Sequence, residues 1–113
     1  MQEPTFLILT ALAAQPLHGY GVIQSVTELS AGDVKLRPGT LYGALDRLAE
    51  QGLIEVDREE AVDGRLRRYY RLSDSGASAL AAQVDRLRRH ATAAEAQLGK
   101  RLGGALAFRA VPA

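Results

Sequence analysis

Between Pro38 and Leu72 the apolar residues change their period, and this change restricts the fold more than any other feature of the chain. Leu41, Ala44, Leu45 and Leu48 recur at steps of three and four, which predicts a helix opening at Pro38 with one buried stripe. Gly52 suits the left-handed position past a helix end, and Leu53 supplies the apolar contact that closes such a cap. From Ile54 to Glu59 the period drops to two, with Ile54 and Val56 inward and Glu55 outward, which predicts a strand. Val62-Asp63-Gly64 reads as a turn, and Arg67 to Leu72 returns as a second strand. A helix therefore closes directly onto a two-stranded hairpin.

Two more helices precede it. The first runs from about Pro4 to Ala14, apolar nearly all round and ended by Gln15-Pro16, since a residue before proline is pushed out of the α region. The second begins near His18-Gly19-Tyr20, with His18 as a turn or cap residue, and stops in Ser30-Ala31-Gly32-Asp33. After the hairpin, Ser73 or Asp74 caps a long helix. Ala77, Leu80, Val84, Leu87, Ala91, Ala94 and Leu98 form a heptad seam along it. Gly99, Gly103 and Gly104 interrupt that pattern. The expected fold is mainly α with a small β-hairpin: a winged helix-turn-helix over residues 1–73, a dimerisation helix over 74–98, and a tail over 99–113 with no assigned structure.

Composition narrows the function. The chain has 113 residues and no cysteine, which excludes disulfides and thiolate zinc sites. Its longest apolar stretch, Phe6 to Leu9 extended through Ala14, is far short of a membrane span and lacks the basic start of a signal peptide. A cytoplasmic, soluble protein is expected. His18 and His90 are isolated, and neither a phosphate loop nor a nucleophile elbow is present. No enzyme activity, cofactor or metal site is expected.

Charge points to a polyanion through its distribution, since the net charge is only +1. From Arg65 to Arg71 there are four arginines in seven residues and no acid. Such a stripe steers a polyanion to one face, and its alternative is a solvated hairpin whose arginines pair with Asp57, Glu59 or Glu60. In a major-groove reader, small and polar residues near the helix start reach bases and phosphates. Thr40, Tyr42 and Arg47 suit those contacts, Gly43 admits a close backbone approach, and Lys35 and Arg37 sit where the helix start favours an anion. Arg65, Arg67 and Arg68 would lie along the phosphates or in the minor groove. Tyr69 and Tyr70 point to opposite faces, so only one can serve the DNA side; Tyr70 is counted among the candidates, and the sequence leaves the choice between the two open.

Three stretches together resemble the PadR family of transcriptional regulators. They are His18-Gly19-Tyr20-Gly21-Val22-Ile23; Gly39-Thr40-Leu41-Tyr42-Gly43-Ala44-Leu45 with Leu48 and Gly52-Leu53-Ile54; and Gly64-Arg65-Leu66-Arg67-Arg68-Tyr69-Tyr70-Arg71-Leu72-Ser73 with Gly76. The resemblance covers residues 4 to about 98. It implies a homodimeric winged helix-turn-helix repressor, joined through its C-terminal helix and binding small effectors near the dimer interface. The length resembles a short-tailed branch with one C-terminal helix. Two departures stand out: many members carry proline where Gly43 stands, and the alanine-rich seam has no tryptophan to stack on a flat ligand.

The expected function is a sequence-specific repressor that binds double-stranded DNA as a homodimer on a palindromic operator, with release by a small-molecule effector as an extension. Leu80, Val84, Leu87, Ala91, Ala94 and Leu98 would form the dimer seam. The rival is a winged-helix module that pairs with another protein through its C-terminal helix and never touches DNA.

Overall fold

The structure, a computed structural model, describes residues 1–103. Its elements run α1 (Glu3–Ala14), β1 (Leu17–His18), α2 (Gly19–Leu29), α3 (Pro38–Glu50), β2 (Ile54–Val62), β3 (Arg65–Leu72) and α4 (Asp74–Arg101). The architecture is mainly helical with a small antiparallel sheet, as expected. Two compact units divide between Ala81 and Ala82, so the first turns of α4 belong with the elements before them.

The core of the first unit joins α1 (Ile8, Leu9, Leu12), α2 (Val22, Val26) and the α3 stripe of Leu41, Ala44, Leu45 and Leu48. Ile54 and Tyr70 close it from the sheet. Each large aliphatic side chain buried here contributes roughly 1.5–3 kcal/mol of transfer free energy, so the stripe fixes which face of α3 is left for solvent. Leu80 is half-buried against this same core. Leu80, a residue of the expected dimer seam, thus also packs within its own unit.

The sheet has the order β1-β3-β2. β1 is only two residues long, pairing Leu17 with Tyr70 and His18 with Tyr69. β2 and β3 meet through the two-residue loop Asp63-Gly64, with φ of 51° and 76°. Positive φ at both loop residues defines the type I′ turn whose twist matches the flanking strands, and Asp-Gly tolerates it well. The ladder slips once. Val56 faces Tyr70 but Arg58 faces Tyr69, leaving Asp57 as a bulge. Val56, expected inward, is instead exposed: on the outer strand β2 the core takes Ile54 and does not extend to the residue two places on.

Ser73 is the buried polar residue of the described part of the chain and joins three elements. Its Oγ donates to the Gly52 carbonyl at 2.6 Å and accepts from the Gly76 amide at 2.9 Å, while its own amide donates to the Leu53 carbonyl at 3.1 Å. Gly76 is required there because a Cβ would run into the Leu53 carbonyl oxygen. In the second unit α4 continues through Gly99 to Arg101, past the end expected at Leu98. One helical glycine costs only about 1 kcal/mol and does not by itself stop a helix. The remainder of the expected tail, 104–113, lies outside the described residues. Val84 is half-buried, and Leu87, Ala91, Ala94 and Leu98 are exposed. Among the described residues no helix is long and apolar enough to cross a membrane.

Candidate nucleic-acid interface

The outer face of α3 follows from the inner one. With Leu41, Ala44, Leu45 and Leu48 packed down, Lys35, Arg37, Gly39, Thr40, Tyr42, Gly43, Asp46 and Arg47 are all exposed. The helix opens on Pro38 with no side-chain cap, and its first backbone bond runs from the Leu41 amide to the Arg37 carbonyl. The amides of Gly39 and Thr40 are thus left without a helical acceptor, at the end where the helix dipole favours an anion. Gly39 and Gly43 lie one turn apart, and a Cβ at either would meet no atom within 4 Å. That strip of α3 admits another backbone at close range. The Tyr42 ring, exposed on its outer side, rests against Gly19 at the start of α2.

The hairpin of β2 and β3 forms the wing. Register sets Glu55 against Arg71, Glu59 against Arg68 and Glu60 against Arg67. Two of these crosses close as ion pairs, Arg71–Glu55 at 2.8 Å and Arg68–Glu59 at 3.6 Å. Arg71 also reaches Asp57 at 3.3 Å. Among the described residues Arg65 and Arg67 form no salt bridge, nor do Lys35, Arg37 and Arg47. The rival picture of paired hairpin arginines therefore holds for Arg68 and Arg71 and not for Arg65 and Arg67.

Tyr70, counted among the candidates for the DNA side, is a core residue at 6% exposure. β3 is the middle strand, so its inward side chain is covered from both neighbours and by the helices. Tyr69 takes the opposite face. The Arg58 guanidinium lies 3.9 Å from its ring centroid, and His18 meets the ring edge-on at 5.2 Å. Arg58 was not singled out in the sequence, being hidden in an acidic run, though its position opposite an aromatic becomes plain once the bulge is known.

An open groove of about 920 Å³ lies between α3 and the wing. Tyr42 and Asp46 line one side, Arg65, Arg67 and Arg68 the other, with His18 at the floor strand. Lys35, Arg37, Thr40, Gly43 and Arg47 do not line it and stay on the open face and start of α3. The His18 Nδ1 accepts from the Gly21 amide at 3.2 Å and so caps α2, as its sequence position suggested. Partial burial, reinforced by the nearby Arg67 charge and opposed by Glu60, holds its imidazole below the ordinary histidine value. Among the described residues no group of three or more His, Asp or Glu side chains is placed to hold a metal.

A helix with an open polar face followed by a basic two-stranded wing defines a winged helix-turn-helix protein. The family profile described as the transcriptional regulator PadR-like family matches residues 8–82, and the chain belongs to that family. It is 42% identical over 73 residues to the transcriptional regulator Rv3488 of Mycobacterium tuberculosis, a match covering 65% of this chain and 64% of that protein. The chain thus spans less than two thirds of that relative's length. Its fold is similar to that of a PadR family transcription regulator from Clostridium difficile R20291, with a TM-score of 0.71 at 24% identity, over 85% of this chain and 98% of that one. It is also similar to Bacillus subtilis PadR, whose structure is a complex with operator DNA. There the TM-score is 0.64 at 23% identity, covering 71% of this chain and 46% of that one.

Proposed function

We propose that this chain is a sequence-specific DNA-binding repressor that acts as a homodimer on a palindromic operator. The open face of α3, with uncapped amides and two glycines one turn apart beside unpaired wing arginines, carries this reading. α3 enters the major groove and offers Thr40 and Arg47 to bases or phosphates, while Gly39 and Gly43 allow its backbone to come close. Lys35, Arg37, Arg65 and Arg67 neutralise phosphates without reading sequence. The family membership and the operator complex of the Bacillus subtilis neighbour support the same partner.

The exposed Leu87, Ala91, Ala94 and Leu98 form an apolar line that suits a second copy, and two copies suit half-sites about one DNA turn apart. The test is a binding titration on DNA upstream of the chain's own gene at several salt concentrations, with sedimentation on the same samples. Affinity that falls steeply with salt, protection of a two-fold site, and a dimer weakened by Leu87→Glu are expected. Salt-independent binding, or a partner other than DNA captured through α4, would sink it. A small molecule that raises the melting temperature and lowers operator affinity in the same assay would add effector release.

A further inference from the structure

We propose that Arg58 is a positioning residue of the wing: by holding the Glu60 carboxylate it keeps Arg67 free to meet phosphate. The proposal rests on the DNA-binding reading above.

Glu60 and Arg67 are direct cross-strand partners. Opposite side chains in an antiparallel pair stand about 4.5–5.5 Å apart at Cβ, so an acid and an arginine placed this way ordinarily pair. The neighbouring crosses do so, Glu59 with Arg68 and Glu55 with Arg71. The Glu60–Arg67 cross stays open. The Glu60 Oε1 accepts from Arg58 Nε at 2.7 Å instead.

Arg58 is placed to win that competition. Its guanidinium also pairs with Asp57 at 3.1 Å and stacks over Tyr69 at 3.9 Å. Tyr69 is in turn backed edge-on by His18, the residue that caps α2. A planar guanidinium resting on an aromatic face loses less freedom on pairing than one reaching across open solvent. The bulge at Asp57 matters as well. Without the slip between Val56 and Arg58, Arg58 would share a face with Tyr70, and Arg67 would stand against Glu59.

The test measures what Arg67 contributes in three backgrounds, by fluorescence anisotropy. The probe is a random-sequence duplex of roughly 30 base pairs at about 50 mM salt, since wing anchorage does not depend on sequence. In the wild type, Arg67→Gln should weaken binding about fivefold. In Arg58→Gln it should cost less than about twofold, because Glu60 now holds Arg67. In Arg58→Gln/Glu60→Gln the fivefold cost should return, roughly as in the wild type. Comparing the same substitution across backgrounds removes the effect of net charge. Equal costs in all three overturn the proposal and leave the DNA-binding reading standing. A wild type that does not bind the duplex overturns both.

A second readout needs no DNA. Hydrogen exchange at the Arg67 Nε–H should slow in Arg58→Gln and recover in the double variant. Unchanged exchange counts against the proposal whatever the binding data show.

Discussion

Tyr42 rests against Gly19 so closely that a Cβ on Gly19 would sit 2.6 Å from the phenolic oxygen and 2.9 Å from two ring carbons. Two residues from different helices thus fix where one exposed hydroxyl of α3 points. Gly19→Ala should displace the Tyr42 ring while leaving the fold intact, since alanine is favoured over glycine in a helix. DNA affinity should fall roughly two- to tenfold, the worth of one hydrogen bond. The loss should not add to that of Tyr42→Ala in the double variant. Anisotropy titration of the two single variants and the double checks this, and full additivity would show that the contact does not orient Tyr42.

The wing arginines should separate by their pairing. Arg67, with no salt bridge among the described residues, should contribute a full phosphate contact. Arg67→Ala then lowers the slope of log affinity against log salt by about 0.9. Arg71, held by Glu55 at 2.8 Å and Asp57 at 3.3 Å, should leave the slope nearly unchanged when replaced by alanine. Equal slope changes for the two would contradict the pairing.

Much of this was legible in the chain. The stripe Leu41, Ala44, Leu45 and Leu48 is buried as its period required, and Gly52 takes φ 74° at the end of α3. Asp63-Gly64 makes the turn that this dipeptide favours. What escaped has a common cause: pairing across strands. β1 is two residues long and shows no period, because its reason for being a strand is Tyr69 and Tyr70 opposite it. Tyr69 and Tyr70 take opposite faces, and register decides which is buried: Tyr70 shares the face of Leu72 and pairs with Leu17 and Val56, while Tyr69 pairs with His18 and Arg58. Arg58 escaped for the same reason, since a one-residue slip leaves no mark in composition.

Two glycines of equal standing in the sequence should behave oppositely. Gly76→Ala drives a methyl into the Leu53 carbonyl and to within 2.7 Å of Leu72 Cδ1, which should destabilise the fold by about 2–4 kcal/mol. Gly43→Ala adds a methyl in open space on a helix and should stabilise by roughly 0.5–1 kcal/mol. Urea denaturation separates them. Gly43→Ala should nevertheless weaken DNA binding, because its methyl stands on the open strip of α3.

His18 sets a pH dependence. Its folded value lies below the ordinary one, mainly through partial burial, so the folded state binds the proton less readily than the unfolded chain. Its contribution to stability is present above the unfolded value, about 6.5, and is lost as pH falls through the lower folded value. Protonation also removes the Nδ1 acceptor that caps α2. Melting temperature should therefore drop between pH 7 and pH 5 by more in the wild type than in His18→Asn, which can cap without titrating. Parallel pH profiles would rule His18 out as the source.

The bulge at Asp57 means that β2 is read in two frames. Below it, odd-numbered residues share the face of Arg71; above it, even-numbered residues share the face of Arg67. Were the ladder to run on without that slip, with Asp57 set against Tyr69, composition would not change at all, yet every residue beyond it would stand one place further along β2 from its present partner. Arg67 would then meet Glu59, and Arg68 would face Arg58 in place of a carboxylate. The charge available to a partner is thus set by the reading frame of one outer strand, and it could be rewired without changing any arginine.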